Sequence, residues 1–332
     1  MTELSRGRRR RTRRERRPGL RMPWGLIHTA LLVAGLLWAA RYAEDLEERA
    51  YDEGIGWVDP LVLAGIQLPE WCDARWQAEY EGSLEGLEPF RVDDAHALDE
   101  VYDAIAALSF VDSVDCLRTI WPDEIELEFS LRRPVACVTV ALGNGDRATL
   151  DWRDRPLVYR TVAADGTLLS GVWRRPPRTA TGWLPVLGSP RDGSMIELLS
   201  LAQPGDWLAE PEHLAALDVA VSLDECLDGP ERERLGRIVI DARDADIASA
   251  LEPGIRLDLE NRRRILFGGA PSMATAGELA VTRKWRSIAK GLHALDDPWT
   301  EWDVLDARWD VPEVLLRHPR VVGTPATNGR AL

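Results

Sequence analysis

The chain has 332 residues and a formal net charge of −14 at pH 7. Residues 1–43 hold eleven arginines and two acids, a net +9, so residues 44–332 sum to −23. This acidic charge argues against nucleic-acid binding by residues 44–332, because such binding needs a basic surface. Its length of about 290 residues is enough for two domains.

The N-terminal segment separates basic from apolar residues. Ten arginines lie within residues 1–22, and eighteen uncharged residues then run from Pro23 to Ala40. Acidic residues follow from Glu44 onward. A basic tail, an apolar segment of about bilayer length and an acidic flank predict a single transmembrane helix over 23–40. We therefore expect a single-pass type II protein of the inner (cytoplasmic) membrane, with its C-terminal bulk extracytoplasmic or periplasmic.

A cleaved signal peptide is the alternative interpretation of this segment. The apolar part is longer than the usual h-region of about 7–15 residues, which favours an uncleaved anchor. Residues 41–55 are acidic and rich in helix formers, so they predict a stalk.

Residues 56–138 predict a compact α+β domain of order β-α-α-β-β. The apolar stretch from Trp57 to Leu68 predicts a first strand. Four-residue spacing predicts a helix over 70–84, and Asp93-Asp94 predicts the N-cap of a second helix over 94–108. Strands follow over 111–120 and 124–131. In the second, Ile125, Leu127, Phe129 and Leu131 alternate with glutamates and are expected to face inward.

Residues 139–312 predict a β-rich domain with a few helices. Turn residues stand at Asn144-Gly145-Asp146 and Asp165-Gly166. Helices are expected over 194–203, 207–217 and 275–295. Strands are expected over 237–240, 255–259, 264–267 and 302–309, and residues 313–332 are expected to form a tail.

Several short motifs resemble those of the FtsQ/DivIB cell-division proteins, which have a POTRA domain. The matching segments, in order, are Ser109 to Val114, Trp121 to Ile125, Arg132 to Ala136, Ala164 to Leu169, Leu184 to Gly188 and Leu305 to Asp310. The match spans about 110–312, while residues 56–92 match poorly. The resemblance implies an α+β fold with a POTRA-like domain over 56–138, a β-rich domain over 139–312 and a role in the division complex at the septum.

The resemblance also implies partners of the FtsB/FtsL type, which are membrane-anchored coiled-coil division proteins. They would dock on the C-terminal strand of the β domain by strand-edge binding. By motif position this strand is 302–309, with contact positions at Arg308 and Trp309. The candidate partner-binding residues are Trp302, Val304, Leu305, Asp306, Arg308 and Trp309.

No pattern in the sequence indicates catalysis. The G-x-S-x-G, P-loop and G-x-G-x-x-G motifs are absent, and the five histidines are scattered. Cys72, Cys116, Cys137 and Cys226 have no metal-ligand spacing, and whether they pair stays open. We therefore expect a non-enzymatic scaffold without cofactor, metal, nucleic acid or small-molecule substrate. The alternatives are a POTRA-containing secretion or envelope-assembly component and an extracytoplasmic cell-wall enzyme.

Overall fold

The computed structural model describes residues 24–142, 155–188, 193–247, 252, 254–260, 263–273, 277–294, 302–309 and 313–316. The predicted basic tail over 1–22 and the predicted turn at 144–146 lie outside these ranges. The chain divides into two units, Met1–Trp57 and Val58–Leu332.

The first unit contains the long helix α1 (Trp24–Asp52), which continues through most of the predicted stalk. None of the helices in the described ranges combines the length and the apolarity needed to cross a membrane. The predicted transmembrane helix over 23–40 is therefore wrong, and so is the single-pass inner-membrane localisation. His28 and Thr29 interrupt the apolar segment. Only residues 30–40 remain uninterrupted, about 16 Å of helix against a hydrocarbon core of about 30 Å.

The α+β class itself is confirmed in the second unit. Its first part contains the elements β1 (Trp57–Val58), α2 (Ala74–Leu84), β2 (Phe90–Arg91), α3 (Ala95–Ala106), β3 (Val111–Ile120) and β4 (Glu124–Leu131). The predicted strand over 57–68 is wrong beyond Val58, because Pro60–Gly65 form a 3-10 helix. Pro60 favours this helix start by its fixed φ. The Asp59 carboxylate accepts a hydrogen bond from the backbone N–H of Leu61 at 3.0 Å.

Strands β3 and β4 form an antiparallel two-stranded sheet, and β1, the first strand of the predicted β-α-α-β-β order, pairs with β2 and not with this hairpin. The predicted inward residues of β4 do pack against a core built mainly from α2 and α3. Tyr80 of α2 stacks on Phe129 with 5.8 Å between ring centroids. The predicted N-cap Asp94 is confirmed, since it accepts hydrogen bonds from the backbone N–H groups of His96 and Ala97.

The second part of this unit is built around an eight-stranded mixed sheet. Its strands are β5 (Pro134–Ala141), β6 (Leu157–Ala163), β9 (Val186–Leu187), β10 (Ile238–Asp241), β11 (Ile255–Leu259), β12 (Arg264–Gly268), β13 (Trp302–Asp306) and β14 (Glu313–Leu316). The spatial order is β14-β13-β12-β11-β10-β9-β5-β6. A separate small hairpin contains β7 (Arg178–Thr179) and β8 (Gly182–Trp183).

Four helices accompany this sheet: α4 (Gly193–Leu201), α5 (Pro211–Cys226), α6 (Gly229–Leu235) and α7 (Val281–Ala294). Side chains of α5 and α7 share one apolar core with the sheet. Trp285 of α7 is fully buried, and its ring contacts that of Phe267 of β12 in a tilted arrangement with 5.1 Å between the centroids. Its Nε1 donates to the Ser222 hydroxyl of α5 at 2.9 Å. These contacts hold α5 and α7 together against β12, next to the last two strands of the sheet.

The two parts of this unit interlock. Trp76 of α2 donates from Nε1 to the Ser170 carbonyl at 3.0 Å, and the Ser109 hydroxyl accepts a hydrogen bond from the Ser170 backbone N–H at 2.8 Å. Ala163 and Leu169, which follow β5 in the chain, lie in the core built by α2 and α3. The apolar interior of the first part is therefore completed by residues of the second.

Candidate functional site

The predicted partner-binding strand, β13, is an interior strand of the sheet. It pairs in parallel with β12, where Val304 lies opposite Arg264, and antiparallel with β14, where Leu305 lies opposite Val314. Both hydrogen-bonding sides of β13 are therefore occupied, so a partner strand cannot add to it directly. The terminal position at this end of the sheet belongs to β14.

The opposite end of the sheet, at β6, is covered by residues 167–173. Tyr159 and Trp173 exchange two backbone hydrogen bonds of 2.8 Å, and the Leu169 N–H donates to the Thr161 carbonyl at 2.9 Å. Among the residues that the structure describes, no strand and no segment of this kind pairs with the outer side of β14. Unpaired backbone groups on such a side are a template for an added strand.

Trp302, Val304 and Leu305 hold β13 in place. Trp302 is 2% exposed, and the guanidinium carbon of Arg263 lies 4.9 Å from the centroid of its ring. Leu305 is fully buried and so close to α7 that a methyl group added at Gly291 would lie 3.1 Å from it. Val304 is half-buried. Trp302 and Leu305 are thus part of the core, and almost none of their surface is accessible to a partner.

Asp306, Arg308 and Trp309 are brought together just after β13. The Asp306 carboxylate accepts from the Arg308 backbone N–H at 3.1 Å, from its Nε at 2.9 Å and from its Nη2 at 2.7 Å. Arg308 also donates from Nη1 to the Glu252 carbonyl at 3.2 Å. Its guanidinium carbon lies 5.6 Å from the ring centroid of Trp309, which is 42% exposed. Of the six predicted residues, Trp309 presents the most surface.

A buried charged pair beside this turn was missed by sequence reasoning. Lys284 of α7 is 2% exposed, and its Nζ lies 3.2 Å from Oε2 of Glu278 and 4.8 Å from the ring of Phe267. Burial lowers the pKa of Lys284, although the Glu278 carboxylate acts in the opposite direction. Glu278 also accepts a hydrogen bond from the Gly269 N–H at 2.9 Å. The pair therefore ties the end of β12 to α7.

The packing reason for this arrangement lies at Gly268. It has a φ of +93°, and a Cβ there would lie 2.7 Å from Oε1 of Glu278 and 3.4 Å from Cγ of Arg308. Glycine thus permits both the turn and the close approach of the two side chains. A lysine next to the apolar positions Trp285 and Ile288 of α7 was the available sequence signal.

Strand β14 was also missed, because Pro312 suggested that order ends before residue 313. The apolar run Val314-Leu315-Leu316 was the signal that could have indicated it. The structure answers the open question about the cysteines, since all four are free thiols. Burial raises the pKa of Cys72 to about 11, and it also raises the pKa of Cys137.

The described residues contain no group of three or more His, Cys, Asp or Glu side chains placed to hold a metal ion. Among the described residues, this end of the sheet therefore combines a terminal strand, an exposed tryptophan and the hydrogen-bonded pair Asp306–Arg308. No protein-family model matches the sequence, and no curated protein does either.

Proposed function

We propose that the chain is a non-enzymatic scaffold protein that binds a partner by accepting a strand at the outer side of β14. The observation that carries this proposal is the asymmetry of the large sheet. Its β6 end is covered by residues 167–173, while β14 is the terminal strand at the other end. An added strand gains main-chain hydrogen bonds, and neighbouring side chains supply specificity.

Trp309 supports the same proposal. It is a large, 42% exposed aromatic side chain three residues after the end of β13, and Arg308 lies against its ring. Tryptophan and arginine are enriched among the residues that dominate binding energy at interfaces. Trp309 is therefore the apolar anchor that we propose for the partner.

The partners that we propose are coiled-coil division proteins of the FtsB/FtsL type. The support is the ordered set of short motifs between residues 110 and 312, of which the last is Leu305 to Asp310. In the structure Leu305 and Asp306 of this last motif form the end of β13, and Ala307 to Trp309 follow directly after it. The proposal moves the docking position from β13 itself to its neighbour, because β13 has no unpaired side.

A direct binding experiment tests this proposal. The purified chain is titrated with the soluble coiled-coil parts of the FtsB/FtsL-type proteins of the same organism, and binding is followed by calorimetry. Proline is then introduced in β14 at Val314 and, separately, at Leu315, because proline removes a backbone donor. Successive residues of a strand direct their N–H groups to opposite sides, so one variant should lose partner binding and keep the β13–β14 pairing.

The control is Leu157→Pro at the start of β6, which lies at the opposite end of the sheet. This variant should keep the wild-type affinity if it is folded by circular dichroism. Partner binding that survives both β14 prolines would place recognition elsewhere. Absence of binding by the wild-type chain would rule out this class of partner.

A further inference from the structure

Of the net charge of −23 that residues 44–332 carry, residues 58–131 account for the greater part. They contain eighteen Asp and Glu residues against three Arg, a net charge of −15. All three arginines are already engaged within the segment, in the pairs Arg75–Asp73, Arg91–Asp93 and Arg118–Glu126. Most of the remaining carboxylates therefore have no cation of this segment to neutralise them.

Part of this charge lies on the outer face of the β3–β4 hairpin. The inner residues of β4 pack toward α2 and α3, so Glu124, Glu126 and Glu128 alternate on the opposite face. Across the hairpin, Glu124 lies opposite Ile120 and Glu128 lies opposite Cys116. Glu124 and Glu128 are exposed, whereas Glu126 is half-buried and pairs with Arg118.

The same hairpin offers an apolar contact and an unpaired backbone. At its tip Ile120 is 37% exposed and Trp121 is 51% exposed. In the described part of the chain, β3 pairs with β4 and with no second strand, so one side of its ten-residue backbone lacks a ladder partner. Acidic side chains, an exposed aromatic tip and a free strand side thus occur on one element.

We propose that the outer face and free side of the β3–β4 hairpin form a second docking surface, whose partner is an extended, lysine- or arginine-rich protein segment. The net charge of this segment favours a cationic partner. A segment at −15 repels nucleic acid and acidic proteins and attracts cationic chains, and such complementarity accelerates encounter and selects partners. The extended form follows from the free side of β3, which offers hydrogen bonds to a strand.

This surface is separate from the β14 edge, so the scaffold would hold two different partners. The hairpin belongs to the part of the unit built around α2 and α3, while β14 ends the large sheet. A scaffold that joins proteins needs two such surfaces. Binding at the β3–β4 hairpin does not require that the β14 partner be of any particular kind.

The test uses the full chain and a fluorescein-labelled peptide of five Lys-Val repeats, which is cationic and alternates as a strand does. Binding is measured by fluorescence anisotropy at low and at physiological salt. We expect saturable binding whose Kd rises with ionic strength, because exposed charges are screened. The triple variant Glu124→Gln, Glu126→Gln, Glu128→Gln should raise Kd by about tenfold.

The matched control is Glu79→Gln, Glu85→Gln, Glu88→Gln, which removes the same charge from exposed positions on and just after α2, across the hairpin from its outer face. It should change Kd less than about twofold, because screened charges at a distance contribute little. Equal losses in the two variants would show a general electrostatic field without a docking surface and would overturn the proposal. Failure of the wild-type chain to bind the peptide, or equal binding of a Glu-Val repeat peptide, would overturn it as well.

Discussion

Among single residues, Lys284 is notable because a lysine side chain is rarely buried this deeply in a protein. It is almost fully buried, yet it carries an amine that water would solvate. Its partners are the Glu278 carboxylate at 3.2 Å, the Gly269 carbonyl at 3.4 Å and the face of Phe267. Burying a charge is unfavourable unless it is paired, and a pair that loses one member leaves the other uncompensated.

We predict that Lys284→Met lowers the free energy of unfolding by about 3 kcal/mol, because the partly buried Glu278 carboxylate is left without its cation. The double variant with Glu278→Gln should recover part of this loss. Chemical denaturation of the wild type, both single variants and the double variant measures the coupling. Additive losses would contradict the prediction, because they would mean that the two side chains do not interact.

Trp309 gives the second prediction at this scale. Trp309→Ala should weaken binding of the β14 partner by about tenfold or more, as truncation of an anchoring aromatic residue does. The thermal midpoint should change little, because the ring is 42% exposed. Calorimetric titration and a thermal scan of the same sample separate the two effects. As a control for general loss of apolar surface, the exposed Trp207 is replaced by alanine. Equal losses of affinity in both variants would contradict a specific anchor.

At the level of the secondary-structure elements, a buried carboxylate lies at the end of the β10–β11 pairing. Asp241 of β10 is 3% exposed and lies opposite Arg256 of β11. It accepts hydrogen bonds from Arg243 at 2.7 and 2.9 Å and from Arg256 at 3.2 Å. Burial by itself raises the pKa of Asp241, but the hydrogen bonds and charges of the two arginines outweigh it, and the pKa is lowered.

The sign of the pH dependence follows from this lowered pKa. The contribution of Asp241 to stability is complete above its unfolded-state pKa of about 3.9 and is lost as pH falls through the folded-state value. Asp241→Asn should therefore destabilise the protein by about 3 kcal/mol at pH 7. The difference in unfolding free energy between this variant and the wild type should become smaller below about pH 4. Urea denaturation between pH 3 and 7 measures it, and a gap independent of pH would contradict the assignment.

The elements also differ in how far they follow from local sequence. The strict alternation from Glu124 to Leu131 specifies one face of β4, and the structure confirms that strand. Asp94 specifies the start of α3 because its side chain accepts from two backbone N–H groups. The stretch after Trp57 misled prediction, since Asp59 and Pro60 favour a 3-10 helix over a strand.

At the scale of the whole molecule, the second unit behaves as one folded body built from two parts. Leu169 and Ala163 belong to the second part by sequence but lie in the core of the first. Trp76 and Arg75 donate to the carbonyls of Ser170 and Val172 at 3.0 and 2.7 Å. A substitution at this junction should therefore change the stability of both parts.

We predict that Leu169→Ala lowers the unfolding free energy by about 3 kcal/mol, the usual loss for a fully buried leucine. Both parts should still unfold in a single transition, because they share this core. Intrinsic tryptophan fluorescence and far-ultraviolet circular dichroism, followed through the same urea titration, measure this. The exposed Leu157→Ala should change stability by less than about 0.5 kcal/mol. Two separated transitions in the wild type would contradict the prediction.

The α+β class, most helices and strands and the acidic character of residues 58–131 could all be predicted from the amino-acid sequence. These features depend on local periodicity, capping and composition, which neighbouring residues specify. The interior position of β13, the terminal position of β14 among the described strands and the pairing of Lys284 with Glu278 could be seen only in three dimensions. Strand neighbours and buried charge pairs depend on contacts between residues far apart in the chain, which no local pattern records. In α1 the composition was misleading. Its apolar residues suggested a transmembrane helix, but the uninterrupted apolar part is too short to cross a membrane.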